Sequence, residues 1–338
     1  MLVALSALGA FAALAPISLP AHEAYLTDVA LVTPPPSLGA VTSLLQSRGQ
    51  TVVEPGKDQA LHPLLVPLTR AADGEHTGLL RWPTAGGGGS KLPLVRTTKG
   101  GQQLELLADS AENFLMREAA IADVEGASDA SAVAELLESC SGGSFSYTAG
   151  TAAASTGGLP GYLITKVGPI MSAYEELANG HRAKGSDQAA LITCERSQSC
   201  FGAWGRPCAF HARMLNDLGR DEEARDKARA ALELPLWTLG DDLEAIVNIA
   251  QMAPEALVAD LELKAEGKLT PQQIAKNRGM EERTPQQIAK DRASYLLDLT
   301  VASPDDYSWS SVRPQLADLY REAGMSSIAD FVACEQAQ

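Results

Sequence analysis

Basic side chains are scarce in this sequence: 27 Lys and Arg stand against 42 Asp and Glu over 338 residues, a formal net charge of −15. A protein that tracks a nucleic-acid backbone needs clustered Lys and Arg to displace counterions from phosphates, and adhesion to anionic lipid needs them too. Nucleic acid is therefore not an expected partner, and neither is a lipid surface through charge alone. Aromatic residues make up only 5% of the chain, so small and aliphatic side chains are expected to pack the core, as in helical hairpins. Catalytic signatures are missing as well. There is no G-x-S-x-G elbow, and His22, His62, His76, His181 and His211 sit in unrelated local contexts. Acid pairs such as Asp241-Asp242 and Asp305-Asp306 fall at expected helix starts, where the macrodipole explains them.

Five cysteines, Cys140, Cys194, Cys200, Cys208 and Cys334, are too few and too scattered for a disulfide scaffold. The odd count leaves at least one unpaired thiol in a monomer. In an oxidising lumen Cys194 and Cys200 could pair across a turn between two helices, which spacing alone does not establish. As metal ligands the best candidates are Cys200, Cys208 and His211, with Cys194 beside them, because Cys208 and His211 share a helical face. No paired C-x-x-C accompanies them, so no metal is expected.

The chain opens on an apolar run, Met1 to Ala21, whose first charged successor is Glu23. Gly9, Pro16 and Pro20 interrupt it, leaving it short of the roughly 20 residues a membrane span needs. Three readings stay open: the hydrophobic part of a targeting signal, although no basic residues precede it; a retained anchor touching a membrane or partner through residues 1–20; or a buried segment.

From Leu61 to Asp109 short apolar stretches alternate with turn residues: Leu64 to Leu68, Gly78 to Trp82, Leu92 to Thr98 and Gln103 to Leu107. They predict a small antiparallel sheet. The run Gly86 to Gly89 lacks the Lys-Ser/Thr of a phosphate loop and reads as a flexible connection. Helices are predicted at Leu38 to Arg48, Ser110 to Val124 with Ser110 as N-cap, and Ala127 to Cys140. The Gly, Ser, Thr and Ala stretch from Ser141 to Pro160 predicts a mobile linker.

Helical patterns fill the rest. Before Gly219, Phe210, Met214, Leu215 and Leu218 form an apolar stripe; after it, Ala224, Ala228, Ala231 and Leu232 recur at helical spacing. Such a Gly turn with a following Ala resembles a tetratricopeptide hairpin. The same offset occurs at Gly185 with Ala190, one 34-residue period upstream, and at Gly324 with Ala329, close to three periods downstream. The segment Thr270-Pro271-Gln272-Gln273 returns as Thr284-Pro285-Gln286-Gln287, two helix starts with capping-box chemistry.

The expected fold class is mainly α, a tetratricopeptide-like (TPR-like) helical-hairpin array in the C-terminal half preceded by a small antiparallel β-sheet region. The expected parts are a targeting or anchor segment over 1–21, a small α+β region over 22–140, a linker over 141–160 and a helical domain over 161–338. Phe201, Trp204, Arg206 and Trp237 are the candidate partner-binding residues, since Trp and Arg dominate binding hot spots. Trp204 has a second reading, as the anchor of a turn between hairpins.

Three stretches, Gly78-Leu79-Leu80-Arg81-Trp82-Pro83, Gly205-Arg206-Pro207 and Trp237-Thr238-Leu239-Gly240, resemble a plastid-located, tetratricopeptide-like protein group of plants and algae. The resemblance spans Leu61 to Cys334 and implies a plastid setting and a helical interaction protein. The expectation is thus a non-enzymatic protein–protein interaction scaffold, an accessory or assembly subunit of a photosynthetic thylakoid complex, on either side of the membrane. No cofactor is expected. The alternatives are a soluble plastid enzyme with its site between the β region and the helical domain, or a pigment-bearing subunit, as chlorophyll needs only an apolar surface and an axial ligand.

Overall fold

The computed structural model describes residues 14–83, 92–98, 100–240, 243–268 and 283–334. The glycine run 86–89, Lys99, the Asp241-Asp242 pair, the first Thr-Pro-Gln-Gln copy and most of the apolar start lie outside the described residues. Of that start, Leu19 is buried, and Leu14 and Ile17 pack against the same core.

Helices α1 (Pro20–Ala24) and α2 (Leu38–Ser47) lead into five strands: β1 (Thr51–Val52), β2 (Leu65–Arg70), β3 (His76–Leu80), β4 (Leu94–Thr97) and β5 (Leu104–Ala108). The strands pair antiparallel in chain order, with Pro67 opposite Gly78 and Val95 opposite Leu106. Each of the four predicted segments is a strand, and β1 is an addition too short to show alternation. Gly78 is required where it stands, because a Cβ would collide with the Val66 carbonyl oxygen. Every residue of β3 is buried, so the sheet is covered on both faces.

After the sheet come α3 (Ala111–Glu125), α4 (Ala130–Cys140) and the short α5 (Thr151–Ala154) and α6 (Gly158–Tyr162). Ser110 caps α3 by accepting from the Asn113 N–H, as its position predicts. Composition predicts mobility over 141–160, yet this stretch is tied down: the Tyr147 hydroxyl donates to Asp123 of α3 at 2.6 Å, and Ala152 is buried.

The helical array comprises α7 (Met171–Ala183), α8 (Asp187–Phe201), α9 (Arg206–Asp217), α10 (Asp221–Leu232), α11 (Leu243–Ile249), α12 (Pro254–Ala265), α13 (Pro285–Ala302), α14 (Trp309–Glu322) and α15 (Ser326–Ala333). Gly185, Gly219 and Gly324 join α7 to α8, α9 to α10 and α14 to α15 with φ of 75°, 70° and 74°, a left-handed turn that glycine makes without strain. Ala190, Ala224 and Ala329 are fully buried behind them, and their small side chains let the paired helices approach. Thr284 forms a complete capping box with Gln287 at the start of α13. Among the described residues no helix is long and apolar enough to cross a membrane.

Candidate functional site

The four tryptophans of the chain converge on one joint. Trp82 follows β3, Trp204 lies in the turn between α8 and α9, Trp237 occupies the 3₁₀ turn Leu236–Thr238, and Trp309 opens α14. Trp82 and Trp237 have ring centroids 5.1 Å apart, and Trp204 lies 5.8 Å from Trp82 and 6.2 Å from Trp237. The His62 ring stands between Trp237 and Trp309, at 4.7 and 4.5 Å. Such aromatic pairs contribute about 0.5–1.5 kcal/mol each beyond the area they bury. Burial, with Arg313 nearby, lowers the His62 pKa to about 3, so the ring is neutral; its Nδ1 accepts the Leu64 N–H. The Trp309 indole N–H donates to the Gly101 carbonyl, tying α14 to the turn between β4 and β5.

The glycines flanking this joint explain its motifs. The Gly205 N–H donates to Thr238 Oγ1 at 2.8 Å, and a Cβ on Gly205 would sit 2.8 Å from Leu239 Cδ2. Gly240, at φ 59°, would place a Cβ 2.9 Å from Arg206 Cδ. The Gly-Arg-Pro and Trp-Thr-Leu-Gly stretches are thus two halves of one contact.

A chain of alternating charges crosses the same joint. Arg206 forks onto Glu175 of α7 at 2.7 and 2.8 Å and reaches Glu105 of β5 at 3.0 Å. Glu105 also accepts from Arg96, which lies 3.5 Å from Glu75. Burial alone would lower the Arg206 pKa, but the hydrogen bonds and charges of Glu175 and Glu105 hold it above the ordinary value. Burial alone would likewise raise Glu105, and Arg206 with Arg96 overcomes it and lowers the pKa.

The candidate residues of the sequence therefore meet, but facing inward. Phe201 and Trp237 are buried, Arg206 is engaged by carboxylates, and Trp204 keeps only partial exposure. The reading of Trp204 as an anchor of the turn between hairpins describes the observed packing, since the aromatic–arginine stretch clamps the array to the sheet. Glu105, Glu175, His62 and Trp309 complete the joint and were missed; the rarity of tryptophan was the available signal, because four indoles in so long a chain have few places to be buried together.

The cysteines behave differently from expectation. Cys194 and Cys200 both lie on α8, with no turn between them, and six residues of helix separate them by about 9 Å along the axis, beyond disulfide reach. All five thiols are free. Cys200 is exposed beside the Tyr174 hydroxyl at 3.3 Å, whereas His211 is buried with Nδ1 2.6 Å from Gln198 Nε2. Burial first, then Lys227 and Arg220, bring His211 down to about 4, and burial raises the half-buried Cys208 thiol. Among the described residues no group of three or more His, Cys, Asp or Glu side chains could hold a metal.

Three family models match the chain in consecutive order: PAB N-terminal over residues 20–166, PAB middle domain over 171–256 and PAB C-terminal domain over 259–335. The chain belongs to the PAB family. Its similarity to Protein IN CHLOROPLAST ATPASE BIOGENESIS, chloroplastic, of Arabidopsis thaliana extends over 316 residues at 33% identity, 92% of this chain and 90% of that relative. No solved structure matches. The tryptophan joint brings the three PAB segments together: Trp82 comes from the first, Trp204 and Trp237 from the second, and Trp309 from the third.

Proposed function

We propose that this protein is a plastid factor in ATPase biogenesis, a non-enzymatic scaffold that holds a protein of the complex during assembly at the thylakoid and carries no cofactor. The observation that carries this reading is the similarity to the Arabidopsis protein, continuous over 92% of the chain. The architecture supports it: antiparallel helical hairpins present concave surfaces suited to polypeptides, and the joint holds three segments in a fixed relation.

The test is removal of the protein from plastids, followed by native separation of thylakoid complexes and quantification of the ATPase. A selective loss of assembled ATPase is the expected result. Unchanged ATPase content, with a comparable deficit in other complexes or none, would overturn the proposal. Co-isolation of ATPase subunits with the tagged protein from mildly solubilised membranes is the corresponding binding result.

A further inference from the structure

Two open concavities flank the loop over 53–63. One, of about 410 Å³, lies between α14, α15 and Gln59; Pro314, Ala317 and Val332 line it together with Arg313, Asp318 and Arg321. The other, of about 310 Å³, lies beside β1 and β2 and is lined by Glu54, Lys57, Asp58, Arg70 and His76, among others. A narrow cleft shares Gln59 and Arg313 with the first and Asp58, Leu61 and Pro67 with the second, so the three form one track.

Charge sets this track apart. Lys57, Arg70, Arg313 and Arg321 outnumber Glu54, Asp58 and Asp318 along it, in a chain where acids outnumber bases 42 to 27. Lys57 pairs with Glu54, and Arg321 with Asp318 and, at 3.7 Å, Asp330. Arg313 is held differently. Its guanidinium donates to the carbonyls of Gln59, Leu61 and Val332 at 3.2, 3.0 and 3.2 Å, and it forms no ion pair among the described residues. Carbonyls orient the fork without cancelling its charge, and a fixed guanidinium is suited to a carboxylate. Burial lowers the His76 pKa, so that side chain lines the track as a neutral donor or acceptor.

We propose that this track binds an extended acidic segment of a protein partner, its carboxylates meeting Arg313 and Arg321 and its backbone crossing the apolar strip of Pro314, Ala317 and Val332. The volumes fall in the range of functional clefts, and the local excess of positive charge selects the sign of the occupant. This inference rests on the reading of the protein as a scaffold that holds a partner.

Fluorescence anisotropy of the full chain with a short labelled peptide of alternating Glu and Ala tests it, the Lys-Ala counterpart serving as control. The Glu peptide should bind and the Lys peptide should not. Arg321→Glu and Ala333→Trp alter exposed positions at the groove and should keep the helical circular dichroism while weakening Glu-peptide binding by about tenfold each. No binding of the Glu peptide, equal binding of both peptides, or unchanged affinity in both folded variants would overturn the proposal. The scaffold reading is tested separately by co-isolation of ATPase subunits with the wild-type protein: peptide binding without co-isolation removes the assembly role and leaves the track, whereas co-isolation undiminished in both variants removes the track and leaves the role.

Discussion

Gly240 and Arg206 fit together only because one of them lacks a side chain: a Cβ at Gly240 would lie 2.9 Å from Arg206 Cδ. The same arginine bridges Glu175 and Glu105, so one glycine sets the position of the charge that joins sheet to array. Gly240→Ala adds both a clash and a left-handed strain at φ 59°. A loss of about 1–3 kcal/mol is expected, measured by urea unfolding. An unchanged midpoint would mean that Arg206 shifts freely and that the contact has no role in placing it.

Arg206→Lys keeps the charge and removes the fork. One ammonium cannot satisfy the bidentate contact to Glu175 and the third bond to Glu105. The expected cost is about 2 kcal/mol, and it should diminish little in 1 M salt, since these groups are largely withdrawn from solvent. A variant as stable as the parent would show the fork to be dispensable.

Trp82 and Trp237 belong to different segments of the chain, and their rings meet at 5.1 Å. Trp237→Leu and Trp82→Leu should each destabilise, and the double variant should lose less than the sum. The expected coupling is about 0.5–1.5 kcal/mol. Additive losses in a double-mutant cycle would mean that the two indoles stabilise their own segments independently.

Asp298 is buried in α13, where its Oδ1 accepts the Leu236 N–H at 2.7 Å, at the head of the turn carrying Trp237. Burial lifts its pKa from 3.8 to about 7, against the opposing effects of that hydrogen bond and of Lys264. The folded protein therefore keeps this proton to higher pH than the unfolded chain does. Stability from this group is full below pH 3.8, declines through the interval up to about 7, and is flat above it. Asp298→Asn preserves the acceptor without the charge. Its advantage over the parent should grow by about 1.4 kcal/mol for each pH unit in that window, as read from unfolding free energies at a series of pH values. Parallel curves for variant and parent would exclude this linkage.

His62 acts with the opposite sign. Its folded pKa of about 3 lies below the ordinary 6.5, so the unfolded chain takes up the proton first and stability is lost as pH falls from 6.5 towards 3. His62→Phe keeps the ring between Trp237 and Trp309 and should reduce the steepness of acid unfolding, at the expense of the acceptor used by the Leu64 N–H. An identical acid transition would mean that other groups govern it.

What could be read in advance is local in origin. Ser110 and Thr284 are caps because an oxygen placed before a helix accepts orphan N–H groups of its first turn. Gly185, Gly219 and Gly324 turn the chain because only glycine adopts positive φ freely, and Ala190, Ala224 and Ala329 follow at one offset because a hairpin has one geometry. Strands β2 to β5 announced themselves as apolar runs between turn residues. The order of 141–160 did not, since it comes from one tyrosine–aspartate hydrogen bond and small buried side chains, not from bulky apolar residues.

The sequence by itself therefore determined the helices, their turns and the meander, which depend on hydrogen bonds and dihedral preferances over a few residues. Tertiary structure alone decided that Phe201, Arg206 and Trp237 face inward, that Cys194 and Cys200 share one helix, and that four tryptophans from distant segments close on His62. Those outcomes depend on the shapes of surfaces far apart in the chain, where a missing Cβ at Gly205 or Gly240 matters only against Leu239 or Arg206. No periodicity encodes such a match; it exists once both surfaces are folded and pressed together.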